Sequence, residues 1–317
     1  MQTVTSKLHF IRKVFGKYEM SRDGLNVSVK CPACRHPLKK KLCIRLDTDI
    51  FHCWVCGMKG RNLVSLLRKH GNQAALNEYL NEFLDDDKLS GEKVESVIVE
   101  LPSDFRPLAG STSIDPDSAA VRNYLFNRGL THREFWYFRM GTSNRPDMRR
   151  RVIIPSFDTD GHLNYFVTRT IDSDTFPKYV NCKADRNEIV FNELNVDWAQ
   201  PVTLVEGPFD LVRCNFNATC LLGSLISQKS RVFHMIVRNS TPVMLALDAD
   251  ATDKANYISR ILSEFGICVK IVPLGKHHDV GEMTRNEFTD ALGRSSEWTR
   301  WGSTIDRITS ISSSCVF

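Results

Sequence analysis

Val202-Thr203-Leu204-Val205 precedes Glu206-Gly207-Pro208-Phe209-Asp210. Val243-Met244-Leu245-Ala246-Leu247 precedes Asp248-Ala249-Asp250. Val269-Lys270-Ile271-Val272-Pro273-Leu274 precedes Lys276-His277-His278-Asp279-Val280-Gly281-Glu282. Each apolar run ends in a carboxylate cluster. Short apolar runs separated by helix-like segments read as buried strands of a parallel sheet. The loops leaving the carboxyl ends of such strands open onto one crevice. Three strands would therefore deliver carboxylates to one place. Grouped carboxylates repel one another unless something neutralises them. Hard oxygen donors suit Mg²⁺ or Mn²⁺, which in turn suit phosphoryl chemistry. Any one of these acids alone reads as a solvated strand-end residue. Three clusters in this order, with Glu-Gly-x-x-Asp first and Asp-x-Asp second, read as a metal site.

The 317 residues allow two or three domains with a real core. Charged residues at 25% and hydrophobic residues at 42% describe a soluble globular protein. The net charge of +5 is uneven: residues 1–84 hold 15 Lys and Arg against 6 Asp and Glu, and the remainder holds 27 against 31. A basic front and a slightly acidic back suit nucleic-acid binding followed by metal-dependent chemistry; a basic surface with no partner is the plainer alternative. No apolar run approaches the roughly 18 residues that span a bilayer. Met1-Gln2-Thr3-Val4-Thr5-Ser6-Lys7 lacks the apolar core of a secretory signal. The expected setting is a reducing cytoplasm without a membrane partner, where the ten cysteines are thiols or metal ligands rather than disulfides. No Gly-x-x-x-x-Gly-Lys-Ser/Thr loop is present, so no helicase ATPase is fused to the chain.

Cys31-Pro32-Ala33-Cys34 is followed, 18 residues on, by Cys53-Trp54-Val55-Cys56-Gly57. Two Cys-x-x-Cys knuckles at this spacing match a four-thiolate zinc site. Four thiolates leave no open position, so this Zn²⁺ is expected to be structural. A redox dithiol is the alternative, and a second knuckle argues against it. Cys43, His36 and His52 lie nearby and read as packed or solvated. Leu42–Leu46 and Ile50–Trp54 alternate like a hairpin about Asp47-Thr48-Asp49. Asn62–His70 reads as a helix with Leu63, Leu66 and Leu67 on one face. Residues 85–120 read as a linker, with Asp85-Asp86-Asp87 solvated and a short strand at Val97-Ile98-Val99. Beyond it, Val121–Phe126 and Glu134–Phe138 read as helices. Arg149-Arg150-Arg151 leads into a strand, and Leu163–Thr168 returns after the Asp158-Thr159-Asp160-Gly161 turn. Helices are also expected after Asp210 through Cys214, over Gln228–Arg238 and over Ala255–Phe265.

The order of acidic clusters resembles the Toprim domain shared by primases, topoisomerases and some repair proteins. Phe51-His52-Cys53-Trp54-x-Cys56-Gly57-x-x-Gly60-x-Asn62 resembles the zinc ribbon of DnaG-type primases. Tyr124-Leu125-x-x-Arg128-Gly129-Leu130, Phe138-x-Met140-Gly141, Arg151-Val152-Ile153-Ile154-Pro155, Gly161…Phe166-x-x-Arg169, Pro177-Lys178-Tyr179-Val180-Asn181 and Phe191-Asn192 resemble the basic half of the DnaG RNA polymerase core. The resemblance covers most of residues 25–285. It implies an α/β protein: a zinc ribbon over 1–84, a linker over 85–120, an α+β basic subdomain over 121–200, a Toprim subdomain with a mainly parallel sheet over 201–292, and a tail over 293–317.

That resemblance implies a DNA primase making short RNA primers on single-stranded DNA from ribonucleoside triphosphates. Glu206 would be either a metal ligand or the group that helps deprotonate the primer 3′-hydroxyl. Asp248 and Asp250 would hold Mg²⁺ or Mn²⁺, Asp279 would join them, and Asp210 and Glu282 of the same clusters would be further ligands. Arg128, Arg151, Arg169, Lys178 and Tyr179 match positions lining the family's basic groove; a helix-capping Arg128 and a core Tyr179 are the structural alternatives. Lys39, Lys40, Lys41, Arg45, Lys59 and Arg61 would meet template phosphates. Trp54 would either stack on a base or sit in the ribbon core. One departure stands out: the usual Asp-Pro-Asp-Glu is Asp279-Val280-Gly281-Glu282 here, and Gly281 has no side chain to bind metal. The compact tail points to a phage-encoded primase in the host cytoplasm, working with a separate replicative helicase. A zinc/Toprim nucleic-acid-binding protein with an impaired site is the alternative; a Toprim nuclease or topoisomerase is a third reading, disfavoured by the basic half.

Overall fold

The computed structural model describes residues 2–34, 40–83, 98–110, 115–214, 217–223 and 226–300. The expectations placed on His36, Lys39, Asp85–Asp87, Val97 and the end of the tail lie outside these residues. The chain divides into two compact units, Met1–Glu92 with Arg260–Ile267, and Lys93–Ser259 with Cys268–Phe317.

The first unit opens with α1 (Gln2–Phe15), followed by β1 (Glu19–Met20), β2 (Asn26–Val29), β3 (Leu42–Arg45), β4 (Phe51–Cys53) and β5 (Lys59–Gly60). These strands form one antiparallel sheet in chain order. The β3–β4 hairpin turns at Asp47–Asp49 as its sequence predicts, with Asp49 at a positive φ. α2 (Leu63–His70) starts where the Asn62 side chain accepts the Val64 N–H at 2.7 Å, and buries Leu63, Leu66 and Leu67. α3 (Gln73–Phe83) packs Tyr79 and Phe83 against Phe10 of α1. The sequence reading did not foresee α1, although Leu8, Ile11 and Phe15 stand at helical spacing. Its Lys7 pairs with Asp49 at 2.7 Å, clamping the hairpin turn.

The second unit begins with β6 (Arg106–Pro107), α4 (Pro116–Asn127), α5 (His132–Tyr137), β7 (Gly141–Thr142), β8 (Arg151–Phe157), β9 (Leu163–Thr170) and β10 (Tyr179–Asn181). Its antiparallel sheet has the order β10-β9-β8-β7-β6. β8 is buried on both faces, which suits its apolar stretch Val152-Ile153-Ile154-Pro155. Pro155 is tolerated there because β7 pairs with β8 only at Gly141–Ile153, so the missing N–H breaks no ladder on that side. No strand forms at Ile98 and Val99. Ile98 is 83% exposed, and a short β-branched run without a partner has no face to bury.

A second sheet follows from β11 (Val202–Val205), α6 (Pro208–Leu211), β12 (Ala218–Cys220), α7 (Arg231–Asn239), β13 (Val243–Ala246), α8 (Thr252–Glu264), β14 (Val269–Ile271), α9 (Arg285–Gly293) and β15 (Ser296–Glu297). Its order is β12-β11-β13-β14-β15, parallel except for the last pair. This is the α/β class with a mainly parallel sheet that the apolar runs predict. α6 is shorter than expected: the helix closes at Leu211 and turns continue to Cys214. α8 starts three residues earlier than expected, at Thr252. One apolar core joins both sheets of this unit through Val152, Tyr165, Phe191, Val205, Phe209 and Ala246.

Candidate active site

The chain leaves β11 for β12 on one side, then crosses back to β13 on the other. The crevice between β11 and β13 is therefore a topological switch point, where open parallel sheets bind ligands. Val205 pairs in register with Ala246, so Glu206 and Asp248 leave the sheet at the same edge. The third acidic loop is tied to the other two by backbone contacts. Gly281 N–H donates to Asp210 Oδ1 at 3.2 Å, and Ala249 N–H donates to the His278 carbonyl at 2.8 Å. The three clusters separated in sequence thus meet.

Each acid has a distinct environment. Asp210 is half-buried; its Oδ2 accepts the Gly207 N–H at 3.0 Å and closes the first turn of α6. Burial, with Asp248 and Asp279 nearby, pushes its carboxyl up to about 7. Asp248 is pushed up to about 6 by burial and by Glu206, Asp279 and Asp250. Asp279 Oδ1 accepts the Glu282 N–H at 2.9 Å, and Glu282 Oε2 accepts the His278 N–H at 2.8 Å. Asp250 and Glu282 are exposed. Among the described residues, no three of these carboxylates have oxygens all within 4.8 Å of one another. Mutual repulsion favours that spacing, and the raised carboxyls mark a site short of positive charge. The donor set is entirely oxygen, so it fits Mg²⁺ or Mn²⁺. Four of the six are partly committed: Asp210 to the Gly207 and Gly281 N–H groups, Asp279 to the Glu282 N–H, Glu282 to the His278 N–H, and Glu206 to Lys254.

Gly281 is crowded. A Cβ there would stand 3.1 Å from Asp279 Oδ1, 3.2 Å from Asp210 Oδ1 and 3.6 Å from Arg128 Nη2. A carboxylate at this position would have to push its neighbours aside. Its backbone N–H serves instead, orienting Asp210.

The basic residues converge on Phe209, which the sequence reading left without a role. The Arg128 guanidinium lies 5.8 Å from the Phe209 ring centroid and the Arg169 guanidinium 4.7 Å from it. Arg169 also stacks on Tyr179, 5.2 Å away, and donates to its hydroxyl at 2.7 Å. Arg169 is buried, yet its Nε has no hydrogen-bond partner among the described residues. A planar cation fixed beside an aromatic platform suits a phosphate oxygen. Tyr179 is 40% exposed, so it is not a core residue. Lys178 is exposed. Arg151 differs from expectation: it is buried, and its Nη1 and Nη2 donate to the carbonyls of Lys178 at 3.3 Å and Pro177 at 2.9 Å. It holds the loop before β10. The structure also reveals Lys254, which the sequence reading missed; its Nζ stands 3.1 Å from Glu206 Oε1.

In the first unit, Cys31, Cys34, Cys53 and Cys56 present sulfurs that all lie within 4.8 Å of one another. The Cys31–Cys56 and Cys34–Cys53 sulfurs are each 3.8 Å apart. A tetrahedral ion with bonds of about 2.3 Å spaces its sulfurs by about 3.8 Å, so the cluster fits zinc. Burial pushes the Cys31 thiol up to about 12. At Cys53 burial acts in the same sense, but the N–H groups of Cys56 and Val55 and the neighbouring thiols outweigh it, bringing this thiol down to about 7. Cys43 and His52 stand outside the cluster. Trp54 is 73% exposed and edge-on to His52, which excludes the packed-core reading. Lys59 and Arg61 are exposed. Lys40 pairs with Glu19 at 2.9 Å and Arg45 with Asp47 at 2.8 Å.

No protein-family model matches the chain. A DNA primase of Listeria innocua is 23% identical to it over an alignment of 335 positions, taking in 84% of this chain and 53% of that protein. The chain is similar to a bacterial DNA primase. It spans about half the length of that relative. Among solved structures, the zinc-binding and RNA polymerase domains of the Aquifex aeolicus primase align over 93% of this chain and 84% of that one, at 18% identity and a TM-score of 0.47. A DnaG primase catalytic domain bound to single-stranded DNA aligns over 58% of this chain and 74% of that one, at 20% identity and a TM-score of 0.47. No helix among the described residues is long and apolar enough to cross a membrane.

Proposed function

We propose that the chain is a DNA primase that joins ribonucleotides into short primers on single-stranded DNA by metal-dependent nucleotidyl transfer. One observation carries the reading: loops from three parallel strands gather Glu206, Asp210, Asp248 and Asp279 next to an arginine pair stacked on Phe209. The similarity to a bacterial DNA primase supports it. Asp248, Asp250 and Asp279 would hold Mg²⁺ or Mn²⁺, with Glu282 at the rim. Such ions, when bound, neutralise charge on the attacking and leaving oxygens of an in-line displacement. Glu206 either joins the metal ligands or draws the proton from the primer 3′-hydroxyl. Arg128 and Arg169 hold the triphosphate of the incoming nucleotide, with Phe209 and Tyr179 fixing their planes. Arg151 keeps Lys178 and Tyr179 in place. The four-cysteine module holds a structural zinc and presents Trp54, Lys59 and Arg61 to the template. In replication such a primase would act with a separate helicase.

The testing experiment is primer synthesis on mixed-sequence single-stranded DNA with four ribonucleotides and Mg²⁺, with and without a replicative helicase. Labelled products a few to about a dozen nucleotides long, absent with Asp248→Ala, are expected; that size range follows from the family resemblance, and the Asp248 dependence from the metal role. DNA binding without any product under Mg²⁺ or Mn²⁺ would favour a non-catalytic replication protein, the reading that crowded Gly281 supports. Cleaved or relaxed DNA would point to a nuclease or topoisomerase.

A further inference from the structure

We propose that Lys254 is a resident counter-cation for Glu206, which a divalent ion must displace to reach that carboxylate. The inference rests on the metal reading of the acidic site. Lys254 Nζ lies 3.1 Å from Glu206 Oε1, and the two side chains are only 17% and 30% exposed. Among the described residues it is the only Lys or Arg within 4.0 Å of any of the six acids in the three clusters. Its position follows from the chain: Asp248 and Asp250 end the β13 loop, and Lys254 lies in the first turn of α8, which that loop enters. One segment therefore brings in two carboxylates of the site and the ammonium that opposes Glu206 from the β11 loop.

The physical consequence has a definite sign. An ammonium and a divalent ion compete for the same carboxylate oxygen. The lysine also adds one positive charge to a site whose acids already crowd one another. Removing that charge leaves Glu206 to the metal alone and makes the site more negative, so divalent-ion affinity rises. At this separation, even with the partial screening of a half-buried pair, the effect is on the order of tenfold. Arg at this position keeps the charge and leaves affinity near that of the unaltered chain. The ammonium thus stabilises the acidic cluster while no ion is bound and sets the concentration at which it loads.

The test is Mn²⁺ titration of the full, zinc-loaded chain, read by the loss of the free-ion electron paramagnetic resonance signal. The expected result is binding that Asp248→Ala removes, about tenfold tighter binding with Lys254→Met, and little change with Lys254→Arg. In the Glu206→Gln background, Lys254→Met should give a clearly smaller gain, because only the general effect of the removed charge is left. Circular dichroism melts check the fold, and Lys254→Gln carries the same test should the Met variant not fold. Asp248-dependent binding that Lys254→Met leaves unchanged or weakens would overturn this proposal and leave the metal reading standing. No Asp248-dependent binding in any variant would overturn both.

Discussion

At the scale of single residues, chemical type and structural role separate at several positions. Arg151 and Arg169 sit on neighbouring strands and look alike in sequence. Arg151 spends its guanidinium on two backbone carbonyls, whereas that of Arg169 lies against two rings and bonds, among the described residues, only the Tyr179 hydroxyl. Arg169→Met should therefore weaken single-stranded DNA or nucleotide binding. It should also flatten the salt dependence, by about 0.7 in slope for each phosphate that the arginine neutralises. Arg151→Met should lower stability and leave the slope near that of the unaltered chain; fluorescence anisotropy across a salt series separates the two. Glu134 is a second case. It is buried, closes a capping box on Thr131 and accepts from Arg285 Nη2 at 2.9 Å. Burial pushes its carboxyl up, but hydrogen bonds from the Thr131 hydroxyl and N–H, with Arg285 nearby, win, and the net direction is down. A depressed carboxyl contributes stability that is present above its unfolded value, near pH 4.3, and lost as pH falls through the folded one. Glu134→Ala should cost about 2 kcal/mol at pH 7. Glu134→Gln should shrink the loss of stability on acidification, as measured by urea unfolding at several pH values.

At the scale of elements, loops do the work of assembly. The turn Val280–Glu282 is capped by Asp279, and a methyl group at Gly281 would stand 3.1 Å from Asp279 Oδ1 and 3.2 Å from Asp210 Oδ1, so both carboxylates would have to give by a few tenths of an ångström. Gly281→Ala should displace Asp210, lower stability by about 1 kcal/mol and weaken Mn²⁺ binding; paired melting and metal titration check this. Element types were largely legible in the sequence, because buried strands and amphipathic helices write their periods into it. The misses share a cause. α1 buries a narrow stripe among polar residues, and α8 starts on Thr252-Asp253-Lys254, whose charges masked the helix and hid the ion pair with Glu206. Ile98 and Val99 are β-branched and read like a strand, but strand formation depends on a neighbour with free backbone groups.

At the scale of the whole molecule, the two compact units rest on different sources of stability. The second has a continuous apolar core beneath both of its sheets. The first is small, with short strands and a four-cysteine cluster where further apolar residues would otherwise be needed. Zinc removal by a strong chelator at neutral pH should raise amide exchange across β2 to β5, while β11 and β13 stay protected. Hydrogen–deuterium exchange with mass spectrometry reads both at once. Equal protection of β2 to β5 with and without metal would refute a structural role for the ion.

Local sequence was enough to pick out the four cysteines that cluster, the run of strands and helices, and the three acidic segments that meet. Cysteine spacing and apolar periodicity are local properties, and each is set by a few consecutive residues. It took the folded chain to place β11 between β12 and β13, to bring Asp210 to Gly281, to set two arginines on the Phe209 ring, and to face Glu206 with Lys254 rather than another cation. Those facts depend on strand order and on side chains from segments tens of residues apart. Long-range packing chooses among such pairings, and no local pattern encodes them.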